Sequence, residues 1–145
     1  MLEENIFLKR DADGKLRNVA KKFGIHRAGW TWNAAFADLD GDGFDELIVG
    51  SAGQDYGRGA VTIYTSSSLD SDGSDVEDGE NYFRGSGSED SLGTELSWLE
   101  NFSDGGVHLA VGAPGANSNY GAVYVIPGAD LMSNGDTGDA VVTVT

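Results

Sequence analysis

Two segments of this chain repeat one another at a spacing of 62 residues. Residues 46–53 (ELIVGSAG) resemble residues 108–115 (HLAVGAPG), and the same offset maps residues 59–64 (GAVTIY) onto residues 121–126 (GAVYVI). Unrelated segments do not keep a common spacing, so the matches indicate two copies of one structural unit. Self-similarity at a fixed period is the sequence signature of repeat architectures.

Each unit contains short apolar runs of the kind that form β-strands. In the first copy these runs are residues 32–36, 47–49, 60–64 and, more weakly, 82–83, separated by Gly, Asp, Asn and Ser. About four strands in 62 residues is the size of a propeller blade with one long loop. A β-sandwich and a β-solenoid are the alternatives. A sandwich rarely shows this much self-similarity, and a solenoid coil usually has a shorter period.

The ends of the chain fit the same architecture. Residues 5–20 predict a hairpin with an Asp-Gly turn, and residues 140–145 predict a strand. We predict an all-β chain of about two and a half four-stranded antiparallel propeller blades in an incomplete ring. The predicted parts are the outer hairpin of a preceding blade plus a connector (1–27), a first full blade (28–90) and a second blade (91–145). Propellers use about 4–8 blades, so the remaining blades or other copies of the chain would complete the ring.

The charge of the chain is strongly acidic and uneven. There are 9 Lys and Arg against 24 Asp and Glu, a formal charge of −15, and after residue 27 the only basic residues are Arg58 and Arg84. This balance argues against nucleic acid as a partner. The absence of Cys excludes disulfides and thiolate metal sites, and the sequence contains no apolar run long enough to span a membrane.

The segment 38–47 (DLDGDGFDEL) carries the clearest chemical signal. Carboxylates stand at positions 1, 3, 5 and 9 of this loop, and Gly43 at position 6 allows a sharp turn. Alternate residues can point to one side, and oxygen donors at this density suit Ca²⁺, which takes about 6–8 oxygen ligands. The predicted ligands are the side chains of Asp38, Asp40, Asp42 and Glu46 and the backbone carbonyl of Phe44. Asp45 is expected to point to solvent, and the alternative is that it substitutes for Glu46 through a shift of the loop register.

Two other interpretations of this loop are weaker. An EF-hand needs a bidentate Glu at position 12, which is Val49 here, and it needs flanking helices where this sequence predicts strands. A metal-free Asp/Gly-rich turn is also open, but its clustered carboxylates would repel one another. We therefore predict a calcium loop that is closed at position 9 and leads into a strand.

The corresponding loop of the second copy is degenerate. At the same offset it reads ENFSDGGVH, so that Phe102 and His108 replace an acidic residue at positions 3 and 9. We expect this loop to join two strands and to bind calcium weakly or not at all, although a site formed by Glu100, Asp104 and His108 is conceivable. His108 is otherwise expected to be an ordinary polar side chain beside a strand.

With these motifs in place, the sequence resembles the FG-GAP repeats of the integrin α-subunit β-propeller and the related bacterial VCBS-type repeats. Asp38, Asp40, Asp42, Gly43 and Leu47 match the loop pattern, whereas Glu46 replaces its usual final Asp. Gly112-Ala-Pro114 matches the signature after the strand of the second copy. The resemblance covers about residues 5–145 and implies a calcium-binding propeller, with little information on biological role.

This resemblance implies a structural, adhesion or ligand-binding module of a secreted or cell-surface protein, with a protein or carbohydrate ligand. The alternative is the non-catalytic propeller portion of an extracellular enzyme, such as a polysaccharide lyase or hydrolase. The sequence has only two His residues and neither a nucleophile elbow nor a phosphate loop, so we predict no enzyme activity. Trp30 and Trp32 are expected to pack between blades, and the acidic segment 70–80 to form a solvated loop.

Overall fold

The computed structural model describes residues 6–22, 33–65, 81–100, 102, 106–139 and 142–144. Strands dominate these ranges, which confirms the all-β prediction. Several sequence predictions fall on other residues and lie outside the described part of the chain. They concern Trp30, Trp32, the acidic segment 70–80, and Asp104 of the second loop.

The described strands comprise an N-terminal hairpin followed by the strands of the two repeats. Their bounds are β1 (Leu8–Arg10), β2 (Leu16–Asn18), β3 (Asn33–Ala37), β4 (Glu46–Ser51), β5 (Ala60–Tyr64), β6 (Asn81–Arg84), β7 (Leu96–Leu99), β8 (His108–Ala113), β9 (Ala122–Pro127), β10 (Gly135–Asp136) and β11 (Val142–Val144). Helical segments are short, at Gln54–Gly57, Ala116–Asn119, Gly128–Leu131 and, as a 3₁₀ turn, Thr137–Asp139. None of the helices in the described ranges has the length and apolar character of a membrane span.

The two repeats fold into two sheets of the same topology. The first is ordered β10-β6-β5-β4-β3 and the second β11-β9-β8-β7, with β3 to β6 and their counterparts paired antiparallel. The 62-residue offset holds in the register, since Ser51 pairs with Ala60 and Ala113 pairs with Ala122. Such sheets are consistent with part of a β-propeller. The hairpin of β1 and β2 forms as predicted, with shorter strands than expected.

One strand was not predicted. Gly135 and Asp136 form β10, which pairs parallel with β6 through Gly135 opposite Phe83 and Asp136 opposite Arg84. A Gly-Asp pair has low strand propensity, so no local pattern signals this strand. Its formation ties the segment between β9 and β11 of the second sheet to the edge of the first sheet.

The main core lies between the two sheets. Ile48, Val61, Ile63 and Phe83 of the first sheet belong to one buried cluster with Leu109, Val111, Tyr124 and Ile126 of the second. The two sheets therefore pack face to face, as neighbouring repeats that each have an apolar face must do.

A second cluster covers the other face of the first sheet. Leu47, Val49 and Tyr64 are buried with Ala20, while Phe7 and Val19 of the N-terminal segment pack against them. Strand β4 is consequently buried along its whole length. This double burial explains the continuous apolar run Leu47–Val49, because a strand covered on both faces does not alternate.

The two hairpin turns that follow β4 and β8 share an unusual backbone. Asp55 and Tyr56 have φ of 51° and 57°, and their counterparts Asn117 and Ser118 have φ of 54° and 57°. The left-handed region costs an L-residue about 1–2 kcal/mol. In each turn a glycine amide donates a hydrogen bond across the turn at 3.0 Å. The bonds run from Gly59 N to Gln54 O in the first turn and from Gly121 N to Ala116 O in the second. The repeat therefore extends to turn conformation.

Candidate metal centre

The predicted ligands lie in the loop that joins the first two strands of the first sheet. Strand β3 ends at Ala37 and β4 begins at Glu46 in an adjacent antiparallel position. The carboxylates of Asp38, Asp40 and Asp42 each offer an oxygen atom, and these atoms lie within 4.8 Å of one another. The structure thus brings three of the five predicted ligands together.

Hydrogen bonds from backbone amides fix the three carboxylates. Asp38 accepts from Gly41 N at 2.8 Å and from Gly43 N at 3.1 Å. Asp40 Oδ1 accepts from Asp42 N at 3.0 Å. These are side-chain-to-backbone turns of the kind that Asp forms in loops. Gly41 and Gly43 have φ of 78° and 90°, a backbone region in which a side chain would be strained.

Glu46 occupies a different environment from the three aspartates. Its side chain is only 1% exposed, and Oε2 accepts a hydrogen bond from Leu39 N at 2.9 Å. Burial, as the largest cause, and the charges of the three aspartates raise the pKa of Glu46, while the bond from Leu39 lowers it. A buried carboxylate near three other carboxylates is electrostatically unfavourable, and a cation would relieve this.

Phe44 and Asp45 complete the loop. The Phe44 side chain is 65% exposed, so it adds nothing to the core, and its amide donates to Asp42 Oδ1 at 2.8 Å. The predicted contribution of Phe44 is its carbonyl oxygen, which needs no particular side chain. Asp45 is exposed and lies outside the aspartate cluster, as predicted.

The donor set determines which ion the loop can hold. Carboxylate and carbonyl oxygens are hard ligands that suit Ca²⁺ and Mg²⁺ better than the softer transition metals. Several carboxylates at alternate positions of one loop favour Ca²⁺, which accepts irregular oxygen coordination, whereas Mg²⁺ demands near-ideal octahedral geometry. The residues therefore fit a calcium ion.

The second loop has a buried histidine at the position equivalent to Glu46. His108, the first residue of β8, is 1% exposed, and its ring meets Phe102 edge-on with centroids 5.1 Å apart. Its Nδ1 lies 3.3 Å from Gly106 O. The expectation of a polar side chain beside a strand needs correction, because His108 is inside the strand and buried. Glu100 is exposed, and Asp104 lies outside the described residues.

Comparison with known families bears on the same segment. Residues 30–64 match the family model of the FG-GAP repeat. In the structure this stretch runs through β3, the aspartate loop, β4 and β5. No curated protein matches the chain.

Proposed function

We propose that this chain is a calcium-binding β-propeller segment of a secreted or cell-surface protein, because residues 30–64 match the FG-GAP repeat. It serves as a structural, adhesion or ligand-binding module. The observation that carries the proposal is the convergence of carboxylate oxygens of Asp38, Asp40 and Asp42 within 4.8 Å of one another, in the loop that ends at the buried Glu46.

The calcium ion would stabilise the fold and would not take part in chemistry. It would tie the end of β3 to the start of β4 and offset the repulsion among four neighbouring carboxylates. Extracellular modules use calcium sites with Kd of about 10⁻⁴–10⁻³ M, which suffices where calcium is abundant. We propose no catalytic residue in this chain.

Calcium titration of the full chain tests the proposal directly. Isothermal titration calorimetry should detect one calcium ion per chain at neutral pH, and Mg²⁺ at the same concentration should bind more weakly. The melting temperature should rise with calcium concentration, because a ligand that binds only the folded state stabilises it. No heat of binding and no rise in melting temperature with calcium up to several millimolar would contradict the proposal.

A second part of the proposal concerns the partner of the second sheet. Val61 and Phe83 of the first sheet are buried by the second sheet. Their counterparts by register, Val123 and Val144, are 41% and 58% exposed. We propose that a further propeller blade, or another copy of the chain, covers this face. The mass measured by light scattering distinguishes a second copy, which gives concentration-dependent association, from a blade elsewhere in a longer chain.

A further inference from the structure

A groove at the far end of the first sheet brings together the two basic residues that follow residue 27. From residue 28 onward the sequence contains two basic residues, Arg58 and Arg84, against 20 acidic ones. Both line one groove of about 480 Å³, together with Tyr82, Gly85, Ser86, Asn134, Gly135 and Asp136. This volume is within the usual range for small-ligand sites. If the two arginines served only as solvated surface charges, there would be no reason for both to line the same groove.

The fold itself holds the two arginines together. Arg84 is the last residue of β6 and pairs with Ala60, while Arg58 precedes the same end of β5. Gly85 N donates to Gly59 O at 3.1 Å, which joins the two chain segments next to the arginines. A side chain at Gly85 would come within 2.3 Å of Arg58 O, so this close approach requires glycine.

The guanidinium groups retain donors for a ligand. The Arg84 guanidinium carbon lies 4.1 Å from the centre of the Tyr82 ring, a cation–π contact that uses the face of the group and orients its N–H edge. Arg58 lies 3.7 Å from Asp55, but both side chains are nearly half exposed. Such surface pairs contribute little, and one long contact occupies few of the five donors of Arg58.

The rest of the groove offers neutral polar groups and one acid. Asn134 Oδ1 accepts from Tyr82 N at 3.0 Å, so its NH₂ group is oriented by that bond and can donate elsewhere. Ser86 supplies a hydroxyl, and Asp136 accepts from Gly138 N at 2.7 Å. Amides, hydroxyls and a carboxylate suit a ligand rich in hydroxyl groups. The acid also disfavours a dianion relative to a singly charged ligand.

We propose that this groove binds the carboxylate of an acidic sugar, a uronate unit of a polysaccharide. Arg84 and Arg58 would pair with the sugar carboxylate, since guanidinium forks match carboxylate geometry. Asn134 and Asp136 would bond the sugar hydroxyls. The groove and the calcium loop lie at opposite ends of β4, about 17 Å apart along a six-residue strand. Binding in the groove therefore does not depend on the calcium proposal.

Nuclear magnetic resonance with a defined probe tests this inference. The full ¹⁵N-labelled chain is titrated with trigalacturonate, with and without a calcium chelator. The Nε–Hε signals of Arg58 and Arg84 and the side-chain amide of Asn134 should shift in both conditions. Neutral galactotriose should leave them unchanged at the same concentration. Signals that do not move with trigalacturonate would overturn the proposal.

Matched variants separate the groove from general charge effects. Arg84→Gln and Arg58→Gln should each weaken trigalacturonate binding about tenfold or more, because each removes charge-assisted hydrogen bonds. Arg17→Gln makes the same charge change in the N-terminal hairpin and should leave affinity unchanged. Equal loss in all three variants would overturn the site. Arg58 stacks on no described ring, so its variant still decides the matter if Arg84→Gln unfolds.

Two competing ligands decide the chemical class. Inorganic phosphate and a triglutamate peptide are titrated in the same way as trigalacturonate. Weaker binding of both supports recognition of the sugar hydroxyls as well as the charge. Phosphate that binds as tightly would show a general anion site, and triglutamate that binds as tightly would show an acidic-peptide site. Either result would overturn the assignment to a uronate.

Discussion

Replacing Asp40 by Asn tests the calcium loop with the least structural disturbance. Asp40 is exposed, and its Oδ1 accepts from Asp42 N at 3.0 Å. The carbonyl oxygen of Asn can accept the same bond, and one of the converging negative charges is removed. In chelator we therefore expect a change in unfolding free energy within about 0.5 kcal/mol, the usual range for a surface substitution.

In calcium the same substitution should be costly. At a free calcium concentration of about 100 times Kd, binding stabilises the folded chain by about 2.7 kcal/mol. Changing groups that only support a metal ligand weakens affinity by about 10–100-fold, so loss of a charged ligand should reach the upper value. The stabilisation then falls to about 0.4 kcal/mol. The difference of about 2.3 kcal/mol corresponds to a decrease in melting temperature of about 5–9 °C.

Circular dichroism melts in calcium and in chelator measure both effects. The matched control is Asp45→Asn, which makes the same charge change in the same loop at an exposed acid outside the cluster. This control should keep the full calcium-dependent increase in melting temperature. An equal loss for Asp40→Asn in both conditions, or an equal loss of the calcium effect in Asp45→Asn, would refute the assignment of the ligands.

Three further substitutions test the buried Glu46 and the core between the sheets. Glu46→Gln should leave the chain as stable or more stable in chelator, because burial and the nearby aspartates raise the pKa of the carboxyl and disfavour its ionised form at neutral pH. The same variant should lose most of the melting-temperature increase in calcium, and a loss of stability in chelator would contradict this. Gly50→Ala should destabilise the chain by about 1–3 kcal/mol in urea unfolding, because the Cβ of the new alanine would lie 2.2 Å from Gly93 O. An unchanged urea midpoint would show that the sheets separate easily. Phe83→Ala should cost about 3–5 kcal/mol by the same assay, since the ring is 1% exposed in the core between the sheets.

Much of the fold could be predicted because the repeat supplies each strand twice. A short apolar run such as residues 60–64 is ambiguous alone, but its recurrence at residues 122–126 with the same flanking glycine identifies a structural unit. The convergence of the aspartates could be predicted because its signal is local, with acids at alternate positions and a glycine where the turn is sharp. The structure has its three aspartates converging.

The features that could not be predicted depend on contacts between distant segments. Strand β10 exists because Gly135 and Asp136 meet the open edge of β6, and nothing in their own sequence indicates this. The left-handed turns place Asp55 and Tyr56 in a conformation that their residue types do not favour together. The groove of Arg58 and Arg84 combines residues that are 26 positions apart with a third segment near Asn134.

Positions 46 and 108 are equivalent in the two repeats, but the residues there stabilise the loop between the first two strands of each sheet in different ways. Glu46 begins β4 as a buried carboxylate that bonds Leu39 N, whereas His108 begins β8 and packs edge-on against Phe102. The backbone register of the two sheets is nevertheless the same at this end, since Glu46 pairs with Ala37 and His108 pairs with Leu99. An aromatic contact can therefore replace a charged anchor without changing the topology. The proposed calcium site therefore depends on acidic residues of the first loop that the second repeat replaces by Phe102 and His108 at two of the corresponding positions.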